Sequence, residues 1–238
     1  MQALLAILCG PFQRLSKLFR RSDRMSKVAL REALNQLCAG DIDVDGLASA
    51  CPNCICESAP SPTGSPGPII NGEVLRLFLT SPTHVRVKRP ADLAKRPFRA
   101  ADLKRAYSVG LSVCRLAHAS QEELAYTANQ LCEVQRASNG DLGGLIGAVD
   151  FPVTSVRTCP VEIVPLCAYE TPLDPRPEGG YLRASHGDVV NSRNGMSPEE
   201  QKASRDVIFN QIVESGKIRK ADQIDDFSIA DYLPKTAV

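Results

Sequence analysis

The sequence predicts an α+β protein, with a mixed or mostly antiparallel sheet of about five or six strands, two or three flanking helices and an N-terminal helical arm. Strand-length apolar runs recur in the later part of the chain, two later segments carry helix start signals, and a stretch rich in Pro, Gly and Ser separates the two parts. We expect an arm with a cysteine knuckle over 1–58, a linker over 59–71 and an α+β body over 72–238. A chain of 238 residues can bury about 70% of its unfolded surface, enough for one such body.

The arm is expected to carry two helices. Residues 11–21 combine apolar and basic side chains at helical spacing, and they predict a short amphipathic helix that packs on this protein's own core or on a partner protein. Residues 27–38 predict a second helix, with Ser26 as its N-cap and Gly40 at its end. Met25, just before this N-cap, would also be a suitable start for the natural chain.

Three cysteines lie within six residues at the end of the arm, in Cys51-Pro52-Asn53-Cys54-Ile55-Cys56. Two thiolates separated by two residues can reach one zinc ion from a tight turn, and a third cysteine follows two positions later. The fourth ligand must come from a distant part of the chain, and the candidates are Cys159, Cys167, His84 and His186. We expect Zn²⁺ to be bound by Cys51, Cys54, Cys56 and Cys159. The alternative is that these are free cysteines in a flexible loop.

Hydrophobic periodicity and turn residues predict the elements of the body. The predicted strands are 73–80, 111–116, 145–149, 153–158, 161–168 and 181–190. The predicted helices are 120–136 and 198–214, and each begins with a capping box in which a Ser is followed three residues later by a Glu. The remaining residues are expected to form a short helical turn and a loose tail.

A basic segment follows the first predicted strand. Residues 85–105 contain eight Lys or Arg and two Asp, together with Phe98. Such a segment could follow a phosphate backbone, so nucleic acid is one expected partner of this segment, through 86–105. The alternative is an ordinary solvated basic loop, because no recognisable nucleic-acid-binding motif accompanies the charge.

Several polar residues near the ends of predicted strands are candidates for catalysis: His84, Arg115, His186 and Asp188. If they meet in one cleft, a histidine could act as base or ligand, the arginine could hold a phosphate, and the carboxylate could stabilise positive charge. An Arg or His on a strand with a later Glu is similar to the arrangement of ADP-ribosyltransferases, although no motif assigns the chain to that family. The alternative is that these side chains satisfy hydrogen bonds at strand ends.

Composition excludes some functions and leaves two. The chain has no Trp and few aromatic residues, which argues against an aromatic recognition surface, and no apolar run approaches the length of a membrane span. Nine cysteines without an export signal predict a reducing, cytoplasmic location. The first hypothesis is a non-enzymatic interaction or accessory module that zinc would stabilise and that contacts protein or nucleic acid. The second is a small enzyme acting on a nucleotide-like or phosphate-bearing substrate, and zinc is compatible with either.

Overall fold

The computed structural model of the chain describes residues 32, 44–54, 57, 61–89, 91–92, 98–226, 228 and 232–235. The described residues form a six-stranded antiparallel sheet, a two-stranded sheet and three main helices. The helices are α1 Val44–Ala50, α2 Gln121–Asn139, the short α3 Thr154–Arg157 and α4 Pro198–Ser215. The strands are β1 Val74–Ser81, β2 Leu111–Arg115, β3 Gly144–Pro152, β4 Leu166–Glu170, β5 Leu173–Pro175, β6 Tyr181–Arg183, β7 His186–Asn191 and β8 Lys217–Lys220. The α+β prediction is confirmed.

The large sheet has the strand order β4-β7-β2-β1-β3-β8, and every neighbouring pair is antiparallel. In the centre of the sheet, β1 pairs with β3 along its whole length, from Val74 opposite Pro152 to Ser81 opposite Gly144. Because side chains of a strand alternate between the two faces of a sheet, the register determines which residues share a face.

The two faces of the sheet are covered by different helices. On one face, Leu75, Leu77 and Leu79 of β1 join Ile208 and Ile212 of α4 in the largest apolar core. We call this the α4 face. Burial of these apolar side chains, worth about 25 cal/mol per Å² of area removed from water, is the main force that holds α4 to the sheet.

The opposite face, which we call the α2 face, has a second core. There Phe78 and Ala148 of the sheet pack with Leu124, Ala128 and Cys132 of α2. Helix α1 covers the end of the same face that is nearer to β4, in a cluster that contains Val44, Leu47, Cys167, Tyr169 and Val190. Helices α1 and α2 therefore share this face of the sheet, and the candidate site lies there too.

The outer edge of β4 is capped by side chains. The amide of Ala168 donates a hydrogen bond of 2.6 Å to Glu57 Oε1, and its carbonyl accepts one of 3.3 Å from Arg157 Nη2. Glu57 and Arg157 are themselves joined by an ion pair of 3.0 Å. A carboxylate and a guanidinium therefore satisfy at Ala168 the backbone groups that a further strand would otherwise pair.

Most predicted elements are present, but several assignments were wrong, and helix α1 and strand β5 were not predicted. Residues 154–157, within the strand predicted at 153–158, form helix α3, because a helical turn places Val156 and the N-cap residue Val153 together in the core, both fully buried. The strand predicted at 181–190 is divided into β6 and β7 by a turn. Strand β8 lies where a loose tail was expected. The sequence did not predict it, because its four residues are mostly basic and carry no apolar alternation.

The arm and linker are described only in part. The helices predicted at 11–21 and 27–38 lie outside the described residues, apart from position 32. Residues 61–71 form no helix or strand, as expected, yet Ile69 is buried in the α4-face core and the carbonyls of Gly67 and Pro68 accept hydrogen bonds from Arg115. The linker therefore packs on the body.

Candidate functional site

A cavity of about 150 Å³ lies on the α2 face. Strands β1, β2 and β7 form its floor, α2 forms one wall through Thr127, Leu131 and Gln135, and the β5–β6 hairpin contributes Leu173 and Arg183. Its other polar lining includes Arg76, Thr80, His84, Arg105, Ser112 and His186. The cavity thus combines two histidines with three arginines and several hydroxyls.

The sheet register explains why these side chains meet. Arg76 lies opposite Cys114, and Cys114 lies opposite His186, so the three form a row across β1, β2 and β7. Directly opposite residues of antiparallel strands have Cβ atoms about 4.5–5.5 Å apart and project to the same face. Ser112 and Asp188 form the neighbouring pair on this face.

His186 is oriented by a chain of hydrogen bonds that ends on Asp188. Its Nδ1 lies 2.7 Å from the carbonyl oxygen of Thr171 and 3.0 Å from the hydroxyl of that residue. The Thr171 hydroxyl donates to Asp188 Oδ2 at 2.7 Å, and Ser112 donates to Oδ1 at 3.1 Å. Because a carbonyl oxygen only accepts, Nδ1 carries the hydrogen. The lone pair is then on Nε2, to which no described residue forms a hydrogen bond.

His84 has the opposite arrangement. Its Nδ1 lies 2.9 Å from the amide nitrogen of Thr80 and 3.2 Å from the carbonyl oxygen of the same residue. We assign the shorter contact as the hydrogen bond, with the amide donating to Nδ1, which places the hydrogen of the neutral ring on Nε2. Burial lowers the pKa of His84, and the positive charges of Arg99 and Arg105 lower it further, against an opposing effect of Asp102 and of the Thr80 carbonyl oxygen near Nδ1. His84 is therefore a neutral hydrogen-bond donor at neutral pH.

The three arginines of the cavity differ in how far their charge is neutralised. Arg76 is almost fully buried and binds both carboxylate oxygens of Asp150, at 2.6 and 2.8 Å, and it also contacts Asp226. Arg183 pairs with Asp174 at 2.6 Å. Arg105 is exposed and has no carboxylate partner among the residues that the structure describes. Its charge is available to an anion.

Arg115, the predicted phosphate-holding residue, lies on the other face. It follows Cys114 in β2, so its side chain projects away from His186, and it is opposite Leu75 of the α4 face. Its guanidinium binds both oxygens of Glu73 at 2.7 Å and lies 3.4 Å from Glu170. The structure brings His84, His186 and Asp188 of the predicted set into one region and leaves Arg115 in a buried ion pair.

Cys114 lies on the cavity floor beside His186 but is not an activated nucleophile. Burial, and to a smaller extent the charge of Glu123, raise the pKa of its thiol to about 12. A thiol with such a pKa is protonated at neutral pH and is a poor nucleophile. This argues against Cys–His catalysis.

Sequence reasoning missed Thr171, Ser112, Arg105 and Arg183 as site residues. Arg105 belongs to the basic segment 85–105, but nothing in the sequence distinguishes it from the other cations there. Thr171 and Ser112 have no signal of their own, because only the register of β2 and β7 places them beside Asp188.

A second cluster joins the cysteine knuckle to β4. Cys54 and Cys167 are disulfide-bonded, with Cα atoms 5.2 Å apart, and a carboxylate oxygen of Glu57 lies within 4.8 Å of both sulfurs. These three side chains form a group that could hold a metal ion. Cys51 is disulfide-bonded as well and belongs to the apolar cluster under α1.

The other predicted metal ligands are placed differently. Cys159 is a free thiol outside this group, and its sulfur lies 3.8 Å from Gln211 Oε1. Cys56 lies outside the described residues. Cys167, one of the candidates for a distant ligand, is the cysteine that the fold brings to the knuckle, because β4 is the edge strand against which the N-terminal segment packs.

Glu57 is held firmly in place beside these sulfurs. It accepts hydrogen bonds from the Ala168 amide and from Arg157 Nε. Burial raises its pKa, although the hydrogen bond from Ala168 and the charge of Arg157 act in the opposite direction.

Among the described helices, none is both long and apolar enough to cross a membrane. Comparison of the chain with protein-family models, with curated proteins and with solved structures finds no match. The function is therefore argued from the cavity and the cysteine cluster.

Proposed function

We propose that the cavity on the α2 face binds a small phosphate-bearing ligand and that the protein acts on this ligand as an enzyme, with His186 as the acid–base group. One observation carries the proposal. His84 and His186, which are far apart in the sequence, line the same cavity together with Arg105. This supports the second of the two functions suggested by the sequence.

Charge favours an anionic ligand. Arg76 and Arg183 are held by Asp150 and Asp174, whereas Arg105 is exposed at the cavity without a described carboxylate partner. A guanidinium group presents several N–H donors in one plane and matches the oxygens of a phosphate. Arg105 would therefore bind the anion, and the Nε2 hydrogen of His84 would donate to it.

The cavity volume limits what enters. Cavities of about 150 Å³ are known to hold a single aromatic ring such as benzene, so this cavity admits one ring or one phosphate group rather than a whole nucleotide. The rest of a nucleotide-like ligand would lie at the mouth, where Arg105 and Ser112 are exposed.

The hydrogen bonds of His186 suit general acid–base catalysis. Its Nδ1 hydrogen is bound to the Thr171 carbonyl, so the Nε2 lone pair can take a proton from a water molecule or from a ligand hydroxyl. The resulting imidazolium would be stabilised by Asp188, 4.0 Å away, and by the Thr171 hydroxyl between them. Asp188 is thus a positioning residue and His186 the catalytic residue.

Binding of inorganic phosphate, AMP and ADP, measured by calorimetry, tests this proposal. Arg105→Ala should weaken binding about 10-fold to 100-fold, since a charge-assisted hydrogen bond contributes about 1.5–3 kcal/mol. Arg86→Ala is the matched control, because Arg86 is an exposed arginine of the same segment that does not line the cavity. Equal affinities of the two variants, or no binding of any of the three ligands, would contradict the proposal.

A second candidate is an interaction module that contacts nucleic acid. The described part of 86–105 exposes six basic side chains, whereas Asp92 and Asp102 are buried and accept backbone hydrogen bonds from Lys88 and Arg99. The surface charge of this segment is therefore positive. Binding of a single-stranded oligonucleotide that is weakened equally by Arg86→Ala and Arg105→Ala, falls steeply with salt and is unaffected by His186→Ala would favour this function.

Zinc is the ion proposed for Cys54, Glu57 and Cys167 in the reduced chain. Two thiolates and a carboxylate are donors that Zn²⁺ accepts in tetrahedral sites, and thiolates disfavour Mg²⁺ and Ca²⁺. The role would be structural, because the ion would join the segment after α1 to β4. It is compatible with either function.

A further inference from the structure

We propose that Cys54 and Cys167 form a redox-controlled metal site, a disulfide in the oxidised protein and, with Glu57, a zinc site in the reduced protein. The proposal rests on the assignment of zinc to this group and adds that oxidation expels the ion. The two sulfurs cannot form the disulfide and bind zinc at the same time, because a sulfur bonded to another sulfur is not a thiolate and does not bind Zn²⁺ as a thiolate does.

The first support is the position of Glu57. A disulfide needs no third partner, yet an oxygen of the partly buried Glu57 carboxylate lies within 4.8 Å of both sulfurs. The amide of Ala168 and the guanidinium of Arg157 fix its orientation through hydrogen bonds of 2.6 and 3.0 Å. Hydrogen bonds of this kind orient metal ligands in many proteins. The carboxylate is therefore already in place for an ion that replaces the S–S bond.

The second support is charge. Reduction followed by deprotonation puts two negative charges on the sulfurs, beside the negative charge of Glu57 and the positive charge of Arg157. Cys167 is fully buried and Cys54 is half-buried, so these charges would be poorly solvated. A divalent cation neutralises the remaining charge. A fourth ligand, for which a water molecule suffices, completes the tetrahedron.

The third support is access. Cys54 is only partly buried, whereas Cys167 is fully buried. Thiol–disulfide exchange begins with attack on one sulfur, and Cys54 is the more exposed of the two cysteines.

Reduction of the disulfide needs a small thiol, and its re-formation needs a peroxide. Two molecules of a small thiol such as glutathione give up two electrons and two protons, form their own disulfide, and convert Cys54–Cys167 into two thiols; zinc then displaces the two protons. In the reverse direction hydrogen peroxide takes two electrons from the two thiolates and two protons from solvent and becomes two molecules of water. The S–S bond forms and Zn²⁺ is released.

Zinc titration of the full chain in both redox states tests the switch. Protein reduced with a phosphine and freed of reagent should bind about one equivalent of Zn²⁺ in competition with a chromogenic chelator, and the oxidised protein should bind none. Hydrogen peroxide should release the bound ion in step with formation of the Cys54–Cys167 disulfide, followed by mass spectrometry. Cobalt in place of zinc should show the absorption of thiolate ligation and lose it on oxidation.

Variants separate this site from other thiols. Cys54→Ser and Cys167→Ser should abolish zinc binding, Glu57→Gln should weaken it about 10-fold or more, and Cys159→Ser, a control thiol outside the group, should leave it unchanged. If a serine variant does not fold, protection of Cys54 and Cys167 from alkylation by zinc in the unchanged protein gives the same information. Binding that is equal in both redox states, or that survives loss of Cys54, would overturn the proposal. Zinc binding without release by peroxide would leave the zinc assignment standing and remove the switch.

Discussion

At the scale of single residues, the two cavity histidines show how a backbone hydrogen bond assigns a role. The amide of Thr80 donates to Nδ1 of His84, and Nδ1 of His186 donates to the carbonyl of Thr171. The two rings therefore present opposite groups to the cavity, a donor at His84 and an acceptor at His186. Both residues were predicted as site residues from the sequence, but the tautomers depend on neighbours that no pattern marks.

The lowered pKa of His84 predicts acid sensitivity. Below the ordinary value of 6.5, the unfolded chain binds a proton at this histidine that the folded chain does not, so stability falls as pH decreases from 7 to 5. This one group can contribute a slope of at most about 1.4 kcal/mol per pH unit. Urea denaturation at several pH values should show a shallower loss in His84→Gln, and His118→Gln, at an exposed position, is the control. Identical slopes in the unchanged protein and His84→Gln would contradict this assignment.

At the scale of elements, β8 depends on a glycine in the neighbouring strand. Gly147 lies opposite Lys220, and a Cβ at this position would be 2.5 Å from the carbonyl oxygen of Arg219. A side chain there must push the edge strand away. The pairing of β3 with β8 also brings Arg219 to within 2.9 Å of Asp150. Asp150 in turn holds Arg76 at the cavity floor.

We expect Gly147→Ala to destabilise the fold by about 1–3 kcal/mol, the usual cost of overpacking. The loss should be local, with faster amide hydrogen exchange in β8 than in β1. Gly72→Ala is the matched control, because a Cβ at Gly72 would have no atom within 4 Å, and it should change stability by less than about 0.5 kcal/mol. Equal effects of the two substitutions would show that β8 is not packed as described.

Elements with a strong local signal could be predicted, and those set by tertiary contacts could not. Helices α2 and α4 begin with capping boxes, of which Ser197 with Glu200 is complete in the structure. Helix α3 was missed because its β-branched residues favour a strand, and only burial of Val153 and Val156 selects the helical turn. The same limit applies to the site, since Arg115 and His186 are both strand residues and only the register shows that they occupy opposite faces.

At the scale of the whole molecule, a covalent bond ties the N-terminal segment to the body. Cys54 and Cys167 are 113 residues apart in sequence, and helix α1 adds apolar contacts to the same strands. The sequence predicted that a zinc ion would join the cysteine knuckle of the arm to a distant ligand, Cys159. The structure joins the same two parts through a disulfide.

Reduction without metal should therefore destabilise the protein. A crosslink that closes a loop of about 100 residues stabilises by up to about 4.7 kcal/mol in the chain-entropy model, and about 2–4 kcal/mol is typical. The melting temperature should fall on reduction and recover when zinc is added. A Cys54→Ser/Cys167→Ser double variant should lose this recovery and respond to reductant only through the disulfide of Cys51. An unchanged melting temperature of the reduced, metal-free protein would show that the crosslink does not stabilise the fold.

The capping of Ala168 by Glu57 and Arg157 also affects how copies of this chain meet. An uncovered edge strand is a template on which another polypeptide can add by backbone pairing, which is the first step towards aggregation. At Ala168 the backbone groups of this edge are occupied by side chains from the same chain, while the opposite border of the sheet presents the exposed Lys217 and Lys220 of β8, whose charges oppose the approach of a second copy. Each border of the sheet thus carries a feature that hinders the addition of a further strand.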